Sequence, residues 1–172
     1  LTLFPYTTLF RSIKKNGKLI YKGWELDFNK FRKYLLYKFC VERAILFIGY
    51  IPKYKNLYNN LKKDGFEIVY KPVVLNSDKK YKGNIDAELV LHCCRIEYDR
   101  YDRAIIVSGD GDFFCIHKFL LEEKKLGKII IPNSKSESSL LREFKRYKVY
   151  LEYEKEKLEF KKVGGVHTLS RR

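Results

Sequence analysis

Ala104-Ile105-Ile106-Val107 runs straight into Ser108-Gly109-Asp110-Gly111-Asp112-Phe113, and this junction constrains the fold more than any other part of the chain. Four apolar residues, three of them β-branched, read as a buried strand. The two glycines let the backbone turn sharply and approach a ligand closely. Phe113, Ile116 and Leu120 then recur at helical spacing, so a helix follows. Two carboxylates thus stand at the carboxyl end of a strand, beside a helix N-terminus, where open α/β sheets bind their ligands. Close carboxylates repel each other unless a cation or a proton intervenes, and Mg²⁺ takes oxygen ligands. One reading is a metal-dependent site for phosphate chemistry. The other is an acidic turn in which Asp112 favours the helix dipole. Spacing alone leaves both open.

Strands and helices alternate along the rest of the chain. Phe28, Phe31, Leu35 and Phe39 give helical spacing over 26–39, with Asp27 or Asn29 as the cap. Ala44 to Tyr50 is a buried strand ended by Pro52. A short helix over 56–63 stops at Asp64-Gly65. Phe66 to Val74 is a second strand that Pro72 marks as an edge or an end. Asn76 to Gly83 is polar and basic, a loop, and Ala87, Leu91, Cys94 and Tyr98 define the next helix. Leu126-Gly127 closes the helix that starts near Phe113, and 128–132 is another strand. Ser138 and Ser139 cap a helix through Tyr147, and 149–151 is a last short strand. This alternation predicts a parallel sheet with crossover helices.

A length of 172 residues suits one domain with a real core. Apolar residues at 45% and charged residues at 33% exclude a disordered chain. No stretch approaches the roughly 20 apolar residues of a membrane span, so no membrane partner is expected. The net charge of +15 favours a polyanion, above all nucleic acid. A lysine-rich composition without a binding role would give the same excess. Cys40, Cys93, Cys94 and Cys115 show no zinc-type pairing and sit in apolar-periodic segments. They read as buried free thiols in a reducing cytoplasm.

Lys82-Gly83-Asn84-Ile85-Asp86 opens one helix, and Ser108 to Phe113 opens another. This pair, in this order and on this strand pattern, resembles the NYN domain of the PIN-like nuclease superfamily, in its bacterial LabA-like branch. The resemblance covers about residues 13–152. It implies an α/β, Rossmann-like (PIN-like) three-layer sandwich with a mostly parallel central sheet. It also implies an acidic cluster holding Mg²⁺ or Mn²⁺, and hydrolysis of RNA. The alternative on the same fold is a non-catalytic RNA-binding or regulatory module. Carried over by motif, Asp110 and Asp112 match the paired aspartates, and Asp86 matches the aspartate after the lysine-glycine pair. All three become candidate catalytic and metal-holding residues. Asp86 alone also reads as a first-turn acid stabilised by the helix dipole. Ser108 matches the motif serine, able to bond a carboxylate or a phosphate. Lys82 and Lys135 are candidate RNA-binding residues, because the expected sheet brings both near the acids. Lys53, Lys55, Lys79, Lys80 and Arg142 are further basic candidates. Tyr50, Tyr54 and Tyr81 are candidates to stack on unpaired bases, or else core and rim tyrosines.

The departure from the family lies at the amino end. NYN domains begin with a strand that ends in an aspartate, with an asparagine nearby. Here Thr2 to Ser12 resembles the translation of a common sequencing adapter, so residues 1–12 read as an assembly scar in that strand's place. The domain is then expected over 13–152, with a charged basic tail over 153–172. The segment 1–12 supplies no acid and no asparagine. A missing first strand leaves two exposed strand edges, with Thr7-Thr8-Leu9-Phe10 as a poor replacement. His92 is expected on a solvated helical face with Glu88 and Arg95.

Overall fold

Period-two alternation in four apolar strands decides the layering. In the computed structural model, which describes residues 1–5, 13–15, 18–71, 74–75, 81–82 and 85–161, each of these strands is buried on both faces. In chain order the strands and helices are β1 (Thr2–Pro5), β2 (Ile13–Lys15), β3 (Lys18–Tyr21), α1 (Phe28–Phe39), β4 (Ala44–Gly49), α2 (Lys55–Lys63) and β5 (Glu67–Lys71). There follow β6 (Val74–Leu75), β7 (Tyr81–Lys82), α3 (Asp86–Leu91), β8 (Ala104–Val107), α4 (Phe114–Glu122), β9 (Leu126–Ile131), β10 (Lys148–Tyr150) and α5 (Lys155–Leu158). The central sheet has six strands in the order β10-β9-β8-β1-β4-β5, and every neighbouring pair is parallel. Chain order reverses direction at β1, so the fold is doubly wound with its switch point between β1 and β8.

Leu3, Ile45, Phe47, Ile106, Ile129 and Ile131 face one layer, where Leu89 of α3, Ile116 and Leu120 of α4, and Leu141 and Phe144 pack. Phe4, Leu46, Ile48, Ile105, Val107 and Ile130 face the other, against Phe31 and Leu35 of α1, Leu61 of α2 and Leu158 of α5. Burial on both faces is why these strands read as continuous apolar runs. The expected three-layer α/β sandwich is therefore observed.

The central strand position, expected vacant for want of the family's own first strand, is filled by Thr2–Pro5. β1 pairs with β4 from Thr2↔Ala44 to Pro5↔Phe47, and with β8 through Thr2↔Ile105 and Leu3↔Ile106. Thr2 N donates to Arg43 O (2.8 Å), so alternation turns the nitrogens of Leu3 and Pro5 toward β8. Pairing with β8 has already ended at Leu3, so the N–H that proline lacks is not missed. The edges expected beside a gap are paired. Thr7 to Phe10 lie outside the described residues.

Other expectations shift for local reasons. Asp27 is the α1 cap, its carboxylate accepting from Lys30 N at 3.0 Å. Leu126-Gly127 does not close a helix; α4 ends at Glu122, and Gly127 lies in β9. A side chain at Gly127 would come within 3.0 Å of the Ala104 carbonyl, so the glycine permits close strand approach. Within the segment expected as a loop, Tyr81–Lys82 pairs antiparallel with Val74–Leu75. β5 is an edge strand, as Pro72 suggests. After α3 the helix continues as a π turn over His92–Ile96. His92 is half-buried and sets its ring 5.2 Å from that of Phe47, rather than facing solvent. Cys93 is buried, but Cys40 and Cys115 are exposed, contrary to expectation. Residues 153–161 pack as well: Leu158 is buried and Leu26 bridges to Glu159. Among the described residues no helix is long and apolar enough to cross a membrane.

Candidate functional site

The carboxyl end of β8 is built by short-range bonds that the sequence motif dictates. Ser108 is buried, and its Oγ accepts from Asp110 N at 3.1 Å. Asp110 caps the 3-10 turn Gly111–Phe113, its carboxylate accepting from Asp112 N at 3.0 Å. Phe113 is buried and pins the turn to the α4 layer. Asp110 and Asp112 remain exposed at the mouth of the switch point. Gly111 is needed for space: a methyl there would meet the Ser138 hydroxyl and come within 3.0 Å of its Cβ and 3.1 Å of Leu140 Cδ1. Ser138 N donates to Gly109 O (2.9 Å), and Ser138 Oγ accepts from Leu140 N (3.3 Å) as the cap of the 3-10 helix Ser139–Tyr147. The acidic loop and the segment after β9 are thus locked together.

Asp86 is the first residue of α3, which packs in the same layer as the acidic loop and α4. It is half-buried. Burial first, and then the negative charges of Asp110 and Asp112, push its carboxyl above the ordinary carboxylate range, while Lys71 opposes them. The three aspartates singled out by the motifs therefore share one electrostatic environment at the carboxyl pole. Lys71, at the carboxyl end of β5, pairs with Glu88 of the first α3 turn at 3.0 Å. Lys71 does not stand out in the sequence and Glu88 does so only as a neighbour of His92, because the pairing needs the β5-to-α3 crossover to bring them together.

Lys135 is exposed on the turn after β9, where its N–H bonds the side chain of buried Asn133 at 2.8 Å. Glu137 on the same segment is held by Lys148 and by the Tyr150 hydroxyl (3.0 Å). Asn133 is a structural residue that sequence reasoning missed; its position two residues past the strand end at Ile131, directly after Pro132, is the signal that could have found it. Lys82 lies on β7, the hairpin strand that precedes α3. Lys79 and Lys80 lie outside the described residues.

The sheet is doubly wound and parallel, and Asp86, Asp110 and Asp112 interact electrostatically at its carboxyl pole, where open α/β sheets bind ligands. The NYN domain family matches residues 6–152, so the chain belongs to that family and, with it, to the PIN-like nuclease superfamily. A crystal structure of a protein of unknown function from Vibrio parahaemolyticus superposes with a TM-score of 0.66 at 21% identity. That match covers 92% of this chain and 94% of the other, and it supports the fold alone. No curated protein matches the chain.

Divalent cations serve PIN-like nucleases in general, and the donor type here suits one. All three aspartates offer hard oxygen ligands, and their mutual repulsion would be relieved by a cation. Among the described residues, however, no group of three acidic, histidine or cysteine side chains stands arranged to hold a metal ion. The segment between β1 and β2 adds no acid to the set.

Proposed function

We propose that this domain is a metal-dependent ribonuclease, with Asp86, Asp110 and Asp112 as its acids and Mg²⁺ or Mn²⁺ as its cofactor. The observation that carries the reading is the loop that sets Asp110 and Asp112 at the carboxyl end of β8, beside the switch point, with Asp86 at the start of α3 close enough to feel their charge. Carboxylates held in mutual repulsion at a ligand-binding pole are costly unless a ligand uses them. A bound divalent ion there would supply activation of water and polarisation of a phosphodiester. The protein's own contribution is orientation and attraction. Ser108 holds the Asp110 backbone, and the Asp110 carboxylate holds that of Asp112, so the loop backbone and the Asp110 side chain are fixed in direction. Lys135, exposed on the turn after β9, draws phosphates by charge, and Lys82 remains the second basic candidate from the motif. The overall charge of +15 favours encounter with a polyanion.

A second reading, an RNA-binding module without catalysis, is favoured by one observation: the acids present do not form a ready three-ligand cluster among the described residues. Cleavage of an end-labelled, unstructured RNA separates the two. The ribonuclease reading expects cleavage that Mn²⁺ stimulates, that a chelator stops, and that Asp110→Asn or Asp112→Asn lowers by about 100-fold. Salt-sensitive binding that persists in both variants, with no metal-stimulated cleavage, would establish the binding module instead.

A further inference from the structure

The strongest unassigned feature is a tyrosine cluster at the same pole, beyond β4 and β5. Tyr50 follows β4, Tyr70 lies on β5 and Tyr58 on α2. The ring of Tyr70 lies 5.4 Å from both Tyr50 and Tyr58, and Tyr50 lies 5.8 Å from Tyr58. Tyr58 is buried, and its hydroxyl accepts from Ile51 N at 3.0 Å, so it forms the floor. Tyr50 and Tyr70 are 40% and 37% exposed on that floor. Tyr54 is exposed beside them with Lys53 Nζ 4.9 Å above its ring, and Lys62 Nζ lies 5.4 Å above Tyr70. Between residues 50 and 63 the chain carries four lysines and no acid.

Resting on the ribonuclease-or-RNA-binding reading above, we propose that this cluster is a stacking platform for unpaired bases of the RNA substrate. Exposed aromatic rings fixed by packing offer π faces at little entropic cost, and the adjacent lysines supply charge to the backbone between bases. A duplex buries its base faces in its own stack, so only single-stranded RNA can use such a surface. β4 and β5 lie two and three strand positions from β8. At about 4.8 Å per strand, the sideways offset of the platform from β8 is roughly 10–15 Å; the platform packs with the α2 layer and the acids stand over the α3 and α4 layer, so an RNA strand touching both crosses the carboxyl edge of the sheet. The platform therefore adds a base-stacking subsite on the β5 side of the sheet's carboxyl pole.

The test is fluorescence anisotropy with a labelled oligouridine and a labelled blunt-ended RNA duplex of equal length, without metal. Tyr50→Leu and Tyr70→Leu are each expected to weaken oligouridine binding about tenfold, leaving duplex binding unchanged. The slope of affinity against salt is expected to stay constant in these variants and to fall by about one in Lys62→Gln. Ultraviolet cross-linking of a 4-thiouridine RNA to the unaltered protein gives a check that needs no variant, with adducts expected at Tyr50 or Tyr70. Wild-type affinity in both tyrosine variants together with cross-links confined elsewhere would overturn the platform. So would a dimer that Tyr70→Leu disperses without change in RNA affinity, since β5 is a sheet edge that a second copy could pair. Failure of the protein to bind any RNA would instead remove the functional reading on which the platform rests. RNA binding that ignores the tyrosines would remove the platform alone.

Discussion

Replacing Leu3 by alanine tests whether Thr2–Pro5 really is the central strand. Leu3 is fully buried and packs in the layer formed by Ile45, Ile106 and the α3 and α4 side chains. Strands on both sides and helices above limit relaxation around the space left, so the substitution is expected to cost about 2–5 kcal/mol. For a chain of this size that lowers the melting temperature by roughly 5–15 °C. Leu91→Ala is the control, because Leu91 is 52% exposed at the end of α3 and its loss is expected to cost under about 0.5 kcal/mol. Urea unfolding monitored by circular dichroism reads both values, with the slope against urea unchanged if the transition stays two-state. Equal midpoints for Leu3→Ala and Leu91→Ala would refute the placement of β1 in the sheet.

Burial holds the His117 imidazole neutral down to about 4, from an ordinary 6.5, and neither ring nitrogen has a hydrogen-bond partner among the described residues. The unfolded chain then binds a proton that the fold refuses, so stability is full above pH 6.5 and falls toward pH 4 by about 3 kcal/mol. Urea midpoints at pH 7 and pH 5 are expected to show a smaller loss in His117→Leu than in the parent, and an equal loss would count against the buried neutral ring. Asp86→Asn is expected to raise the melting temperature at neutral pH, because burial and its acidic neighbours disfavour the charge there. The raised carboxyl means that this destabilisation grows as pH rises through the carboxylate range, so the variant's advantage should shrink in acid. Gly111→Ala is expected to cost about 1–3 kcal/mol by forcing Ser138 away from the acidic loop, with partial recovery in the double variant that adds Ser138→Gly.

The acids were legible because a β-branched run, two glycines and a helical period leave one place for Asp110 and Asp112, and the observed loop stands there. The placement of β1 was not. Thr-Leu-Phe-Pro is too short to show a period, and its proline argues against a central strand until pairing shows where β8 lets go. The tyrosine cluster was half legible: Tyr50 and Tyr54 stood out in a basic stretch, while Tyr58 and Tyr70 join only through the register of β4 with β5 and the packing of α2. His92 misled because an α-helical wheel does not survive a π turn. Cys40 and Cys115 misled because apolar spacing in a helix does not say which residue falls at its solvent margin.

The central proposal is that Asp86, Asp110 and Asp112 form one site for a divalent cation. Titration of Mn²⁺ into the metal-free protein, followed by electron paramagnetic resonance, tests it without any substrate. The account predicts one saturable site that Asp110→Asn weakens strongly and Asp86→Asn weakens as well. Absence of saturable binding, or binding that neither substitution changes, would contradict it.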